Sequence, residues 1–252
     1  MAKDYIIEQL NKRVKGRDFF SRKELYAFYK QFEPDLKETT FRWRIYDLKS
    51  KHLISPLSKE LFTLSYKPVF NPVIGNTETK LFCKVEKEFP SIKACIWSTA
   101  IVREFMLHIP GKSIILLQVE KEAIEPVYSF LKELNYNIFI QPEEKEIERY
   151  IYEPDVSIVL QTLISKSPTQ RSGNTTTVTL EKLIVDMFSD RKLFAAFQGS
   201  ELAHIVNNAF SRYSIDFTRL LTYAKRRGKE QDIRQFFLDK TDIPKNILND
   251  KP

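Results

Sequence analysis

The sequence predicts an α+β, multidomain chain, and three observations carry that prediction. Residues 1–67 read as three amphipathic helices followed by two short β runs. Residues 78–165 alternate β-rich runs with helical patterns, the mark of an α/β layer. From 166 to 252 a polar stretch leads into helical periodicity, read as a loop plus a helical C-terminal region packed on the α/β domain. The stretch "YKPVFNPVIGNT", with Pro68, Pro72 and Gly75, supplies an extended linker over 68–77.

In the first segment, Ile6, Ile7, Leu10 and Val14 recur at i, i+3/i+4 spacing and predict the opening helix. The second starts after Ser21, where "SRKE" offers Glu24 three residues on, a capping box. Its apolar stripe is Leu25, Phe28, Tyr29 and Phe32, and Pro34 stops it. A third helix runs from Glu38 to Lys51, ending at His52, where a cation suits the helix dipole. "LISPL" and "LFTLSY" then form a β-hairpin, with Phe62, Leu64 and Tyr66 alternating inward against Thr63 and Ser65. Three helices and a hairpin in this order predict a winged helix-turn-helix, whose third helix enters the major groove of DNA.

Helix geometry assigns the faces of that third helix. At about 100° per residue, Phe41, Ile45 and Leu48 share one stripe and face the core. Arg42, Tyr46, Thr39 and Trp43 lie roughly 90–170° away from it and point outward. Arg44 sits on the flank, spaced to pair with Asp47. An outward face of Thr39, Arg42, Trp43 and Tyr46 suits base edges and phosphates, with Arg44 beside it. Lys37, Lys49, Lys51 and Lys59 are candidate phosphate partners. The same aromatics suit a second domain or another subunit equally well, since exposed tryptophan is a common interface anchor.

Charge placement agrees with a polyanion partner. The chain carries a net +7, and residues 1–70 hold fifteen Lys and Arg against nine Asp and Glu, so nearly all the surplus is N-terminal. With 42% apolar and 13% aromatic residues the chain is globular. It shows neither a signal-peptide core nor an apolar run of the roughly 18–20 residues a membrane span needs. The lone Cys83 and Cys95 form no CxxC and read as free thiols of a cytoplasmic protein.

In the middle segment, strands are predicted at 93–98, 113–119, 137–141 and 156–161, with helical "TAIVREFML", "AIEPVYSFLKEL" and an acidic stretch at 143–151 between them. "SKSPTQRSGNTTTVT" (165–179) reads as a mobile polar loop. Glycines 16, 75, 111, 173, 199 and 228 are isolated, which leaves no phosphate-binding glycine loop. His52, His108 and His204 lack neighbours at metal-ligand spacing. "PDVSIVLQTLISK" resembles the layout of metal-dependent nucleases, but Ile164 stands where the second carboxylate belongs. "QGSELAHIVNNAFSRYSID" is loosely like a nucleotidyltransferase, yet Asp216 is single where two carboxylates are needed to hold Mg²⁺. Glu181 and Asp186 read as flanking a buried helix face. No catalytic residue, metal or cofactor is therefore expected.

A second basic cluster, Lys225, Arg226, Arg227 and Lys229, surrounds Gly228. Gly228 reads as a helix C′ residue, with the cations in the last turn favouring the dipole. An anion or nucleic-acid contact is the alternative.

Several strings together carry a resemblance. "WSTAIVREFMLH", "LISKSPTQ", "TLEKLIVDMF" and "LLTYAKRRGK" resemble the C-terminal half of the AbiEi-like type IV antitoxins of abortive-infection systems. Those proteins also begin with a winged helix, matched in position by "SRKELYAFYKQF" and "TTFRWRIYDLKSKHLI". The resemblance implies a bacterial, cytoplasmic, non-enzymatic transcriptional regulator that binds inverted repeats in its own promoter, where a homodimer would fit. It also implies an antitoxin that opposes a neighbouring nucleotidyltransferase-like toxin without a stable complex. The rival class is a protein-interaction module that uses the winged helix for dimerisation or partner binding.

Overall fold

The structure is a computed structural model. It describes every residue except 1, 15, 18, 109–110, 144–145, 148–156 and 249–252, with the side chains of 2–4 also left out. The chain is mixed α and β and forms two compact units. One comprises Met1–Val69, Arg212–Thr218 and Ile243–Pro252; the other comprises Phe70–Ser211 and Arg219–Asp242.

The first unit opens with α1 (Ala2–Val14), β1 (Phe20–Ser21), α2 (Arg22–Lys30) and α3 (Glu38–Ser50), then β2 (Ser55–Pro56) and β3 (Leu61–Thr63). The strands form an antiparallel sheet in the order β1-β3-β2, pairing Phe20 with Phe62 and Ser55 with Thr63. Leu10 and Val14 of α1, Leu25 and Phe28 of α2, and Phe41, Ile45 and Leu48 of α3 converge with Phe62 in one core.

The local chemistry explains these boundaries. Ser21 caps α2 by accepting from the Glu24 N–H at 3.1 Å, while Glu24 accepts from the Ser21 N–H at 2.7 Å. The Ser21 N–H foremost, and then the Arg17 guanidinium at 2.8 Å, hold the Glu24 carboxyl below its usual pKa. At the end of α3, His52 adopts φ 56° and donates its N–H to Lys49, while Leu53 donates to Leu48. That pair of bonds is the left-handed C-terminal cap usually built on glycine. The His52 ring packs on Tyr66, 4.5 Å between centroids.

Two expectations for this unit change. Phe32 is exposed, because α2 ends at Lys30 and the chain has left the helical stripe. The alternation expected over 62–66 is also absent: Leu61, Phe62 and Thr63 are all buried, whereas Tyr66 is exposed. Strand β3 is central in its sheet, and the returning segment 212–218 bonds the chain beside it. Phe217 donates to the Leu57 carbonyl and the Lys59 N–H donates to Thr218 Oγ1, each at 3.0 Å.

In the second unit, α4 (Asn76–Glu88) precedes β4 (Ala94–Ser98), a 3₁₀ turn (Thr99–Phe105) and β5 (Ile114–Val119). A 3₁₀ turn and α5 (Ile124–Glu133) lead to β6 (Ile138–Ile140), followed by β7 (Ser157–Thr162). The sheet order is β4-β5-β7-β6, with β4 antiparallel to β5 and the other pairs parallel. Strand β5, "IILLQV", is buried at every position, as a strand covered on both faces requires. The helix expected in "TAIVREFML" is 3₁₀, with Ser98 Oγ accepting from the Ala100 N–H. Most of the acidic stretch 143–151, and Pro154 and Asp155 of the nuclease-like string, lie outside the described residues.

The loop expected over 165–179 is a hairpin instead, β8 (Thr169–Ser172) and β9 (Thr175–Val178). Gly173 at φ 57° opens a two-residue turn between the paired Ser172 and Thr175, so "SGNT" was the overlooked signal. Burial of Thr175 and Thr177 hides this strand's polarity from a composition argument. Among the described residues, the α-helices that follow are α6 (Leu180–Ser189), α7 (Ser200–Arg212), α8 (Phe217–Arg226), α9 (Glu230–Lys240) and α10 (Lys245–Leu248), with a 3₁₀ turn at Ala195–Phe197.

Candidate nucleic-acid interface

The stripe expected for α3 is the buried one, Phe41, Ile45 and Leu48. Opposite it, Thr39, Arg42, Trp43 and Tyr46 are all exposed, with Trp43 at 70% and Tyr46 at 64%. The two rings meet edge to face, 5.8 Å between centroids. Arg42 is held loosely, with Nε 3.9 Å from Glu38. Glu38 also takes the Arg22 guanidinium, which stands 5.0 Å over the Phe41 ring. A carboxylate so placed orients Arg42 without neutralising the face, because two arginines share one acid.

The remaining predicted contacts divide by environment. Lys37, at the extended N-cap position of α3, is exposed, as is Lys59 in the hairpin loop. Lys49 is half-buried with its ammonium 5.2 Å over the Phe62 ring, and burial pushes its pKa down against the pull of Asp216. Lys51 pairs with Asp47 at 3.2 Å. Arg44 donates to Glu33 at 2.6 Å rather than finding the Asp47 expected from spacing. The tertiary partner lies in the α2–α3 connection, where no helical periodicity could place it. Arg22, Arg42, Lys49 and Lys59, with Glu38 and Glu60, line a concavity of about 450 Å³ beside α3. Arg22 was absent from the sequence-based set. Its role emerges because the turn into α2 folds back beside the start of α3.

In the second unit, the cluster at the end of α8 is mainly a helix terminus. Gly228 at φ 66° donates to Lys225, and Lys229 donates to Ala224, the same left-handed cap. Lys225 and Arg226 are exposed, Lys229 reaches Asp232 at 3.2 Å, and Arg227 stands 4.0 Å from the buried Asp186.

Sequence reasoning missed the group beneath that arginine. Every residue of α6 from Leu180 to Phe188 is buried, so Glu181, Lys182 and Asp186 are interior and do not flank a face. Lys182, 0% exposed, donates to Asp186 at 2.7 Å and to the Tyr223 hydroxyl at 3.0 Å. The Tyr223 hydroxyl donates to Asp186 at 2.7 Å, and Gln118 Nε2 donates at 3.2 Å. Burial alone would raise the Asp186 carboxyl; Lys182 and Arg227 outweigh it and leave the pKa lowered. The readable signal was a lysine and an aspartate four apart in a helix whose remaining residues, Glu181 and Ser189 apart, are apolar on all sides. Burial pushes the neighbouring Cys95 thiol up to about 12.

A model of a family of unknown function, DUF6577, matches residues 40–243. The chain belongs to that family. The match covers about four-fifths of the sequence and starts inside α3 at Thr40, so it takes in Arg42, Trp43 and Tyr46 of the exposed α3 face but not Thr39, and the hairpin, together with the whole α/β sheet. No curated protein matches the sequence.

Proposed function

We propose that the first unit is a winged helix-turn-helix that binds double-stranded DNA, with α3 in the major groove and the β2–β3 hairpin against the backbone. The observation that carries this reading is the exposed α3 face: Arg42 and Thr39 beside Trp43 and Tyr46, opposite a fully buried apolar stripe. Arg42 would read guanine, the aromatics would contact thymine methyls or sugar, and Lys37, Lys49, Lys51 and Lys59 would meet phosphates. Arg44, tied to Glu33, would position α3 and contact DNA less directly. The order α1-β1-α2-α3-β2-β3 and the β1-β3-β2 sheet support the same reading.

On this reading the protein is a bacterial, cytoplasmic, non-enzymatic transcriptional autoregulator. Its resemblance to AbiEi-like antitoxins adds a toxin-antitoxin role, opposing a nucleotidyltransferase-like toxin encoded beside it. Selection of bound duplexes from a random library, followed by anisotropy titration across salt, tests the DNA half. Affinity should fall steeply with salt, and Arg42→Glu should abolish binding at unchanged fold. Affinity independent of salt would refute it. Co-expression with the adjacent reading frame tests the antitoxin half, and toxicity left unrelieved would remove it.

A second reading has its own support in the exposed Trp43–Tyr46 pair, which is also the makeup of a protein-binding hot spot. There the winged helix would dimerise or bind a partner. Trp43→Ala would then change the sedimentation of the protein without DNA, whereas Arg42→Glu would not.

A further inference from the structure

Two adjoining cavities in the second unit share walls and differ in charge. The larger, about 840 Å³, opens where the chain leaves the parallel strands β5 at Glu120 and β7 at Leu163. Carboxyl ends of parallel strands are where open α/β sheets hold ligands, because the strands stop there and the loops diverge. Phe82, Ile92, Leu163 and Ile164 supply its apolar wall. Lys93, Lys121 and Lys166 are balanced by Glu86, Glu120 and Glu122, and Lys93 stands 3.6 Å from Glu120. That cavity is roomy, partly apolar and without net charge. It falls in the size range of sites for drug-sized ligands.

The smaller cavity, about 450 Å³, has a different chemistry. Lys166 and Arg219 bring cations to its lining, and Thr169 and Thr222 bring exposed hydroxyls, while Ser167 and Tyr223 spend their protons on the Ile164 carbonyl and on Asp186. No carboxylate is among its lining residues, and the buried Glu181 pairs with Arg219 at 3.9 Å from outside that lining. Tyr223 is anchored from below by the Lys182–Asp186 pair, which makes that wall rigid. A lysine and a carboxylate-oriented arginine beside two threonine hydroxyls form a donor set that suits a phosphate dianion.

Lys166, Ser167 and Thr169 line both cavities. Lys166 sits at φ 56°, a backbone conformation that non-glycine residues seldom hold, and it does so where the two spaces meet. Ser167 Oγ donates to the Ile164 carbonyl at 2.6 Å and closes the tight loop that presents that lysine.

We propose that this cleft binds a small phosphate monoester of nucleotide size. The phosphate lies between Lys166 and Arg219 among the hydroxyls, and the ring- and hydroxyl-bearing body lies in the larger cavity. None of these residues belongs to the α3 face, so the proposal stands or falls apart from DNA binding. A nucleotide and a sugar phosphate share this chemistry, and the probes below distinguish them.

Isothermal titration of the full chain would use inorganic phosphate, AMP, UMP, ribose 5-phosphate and unphosphorylated adenosine. At least one ester should bind saturably and about tenfold or more tighter than inorganic phosphate, since the body adds apolar contact. Adenosine should bind about tenfold or more weaker than AMP, having lost its charge-assisted bonds. Preference for AMP or UMP over ribose 5-phosphate assigns a nucleotide; parity among the three assigns a sugar phosphate. Lys166→Gly and Arg219→Gln should each weaken the ester about tenfold. Glycine is at ease at φ 56°, so Lys166→Gly should keep or raise the melting temperature, which separates loss of ligand from loss of fold. The proposal is overturned if no ester binds at millimolar concentration, if inorganic phosphate binds as tightly as every ester, or if both variants keep wild-type affinity. Displacement of the ester by short duplex DNA would overturn it too, by giving the cleft to a nucleic-acid backbone.

Discussion

Replacing Asp186 by asparagine removes one charge from the interior and almost no volume. Four groups lose their acceptor charge: Lys182 at 2.7 Å, Tyr223 at 2.7 Å, Gln118 at 3.2 Å and Arg227 at 4.0 Å. Lys182 has no solvent to turn to, being fully buried. Breaking a buried pair from one side costs about 3–5 kcal/mol, because the remaining charge is left uncompensated. At roughly 2–4 °C per kcal/mol for a chain of this size, the melting temperature should fall on the order of 10 °C. Urea unfolding followed by tryptophan fluorescence would measure it, Trp97 being buried in the same unit. A loss under about 1 kcal/mol would refute the claim that the pair is a dry, intact ion pair. Exchanging the whole group, Lys182→Met with Asp186→Leu and Tyr223→Phe, should recover most of the loss, since apolar packing replaces buried ion pairs well.

The pH dependence gives an independent check. Burial pulls the Lys182 pKa down, but Asp186 and Tyr223 pull harder and leave it raised. Its contribution is therefore complete below the unfolded value of about 10.4 and is lost as pH rises through the folded one. The lowered Asp186 contributes above an unfolded value of about 3.9 and loses its contribution as pH falls through the folded one. Wild-type stability should be flat with respect to this pair between those limits. In Asp186→Asn the stranded ammonium releases its proton more readily than in the unfolded chain, so stability should climb with pH where the wild type is level.

Other expected outcomes are smaller. Ser21→Ala removes the hydroxyl arm of the α2 cap and keeps the backbone N–H to Glu24, and should cost about 1 kcal/mol in urea unfolding; a cost near zero would mean the Glu24 arm caps α2 alone. His52→Gly relieves a left-handed residue of roughly 1 kcal/mol but loses the Tyr66 ring contact, so a net gain of about 0.5 kcal/mol is expected and a net loss would contradict it. Gly173→Val places a branched side chain at φ 57° and should destabilise the hairpin by about 1–2 kcal/mol, read as faster proteolysis at 169–178. At pH 8 a thiol reagent should modify the exposed Cys83 at once and the buried Cys95 only after denaturation.

How far the site was readable depends on whether each signal was local. The Phe41, Ile45 and Leu48 stripe, the Ser21 capping box and the Gly228 terminus each depend on residues within one or two turns, so spacing revealed them. The partner of Arg44, the share of Arg22 in the α3 concavity and the exposure of Phe32 depend on how α2 turns into α3. The hairpin at 169–178 was legible in "SGNT" but was outweighed by its threonines, whose burial depends on neighbours distant in sequence.

By itself the sequence determined most of the helices and the four strands of the α/β sheet, which edge of α3 is greasy, and where the surplus positive charge resides. These follow from periodicity and composition, which act over a few residues. Only the tertiary structure decided that Lys182, Asp186 and Tyr223 form one buried group, and that Lys166 and Arg219 meet at one cavity. Those residues are up to 53 positions apart, and it is the packing of α8 beside α6 and the 166–169 segment that brings groups so remote within hydrogen-bonding or ligand reach.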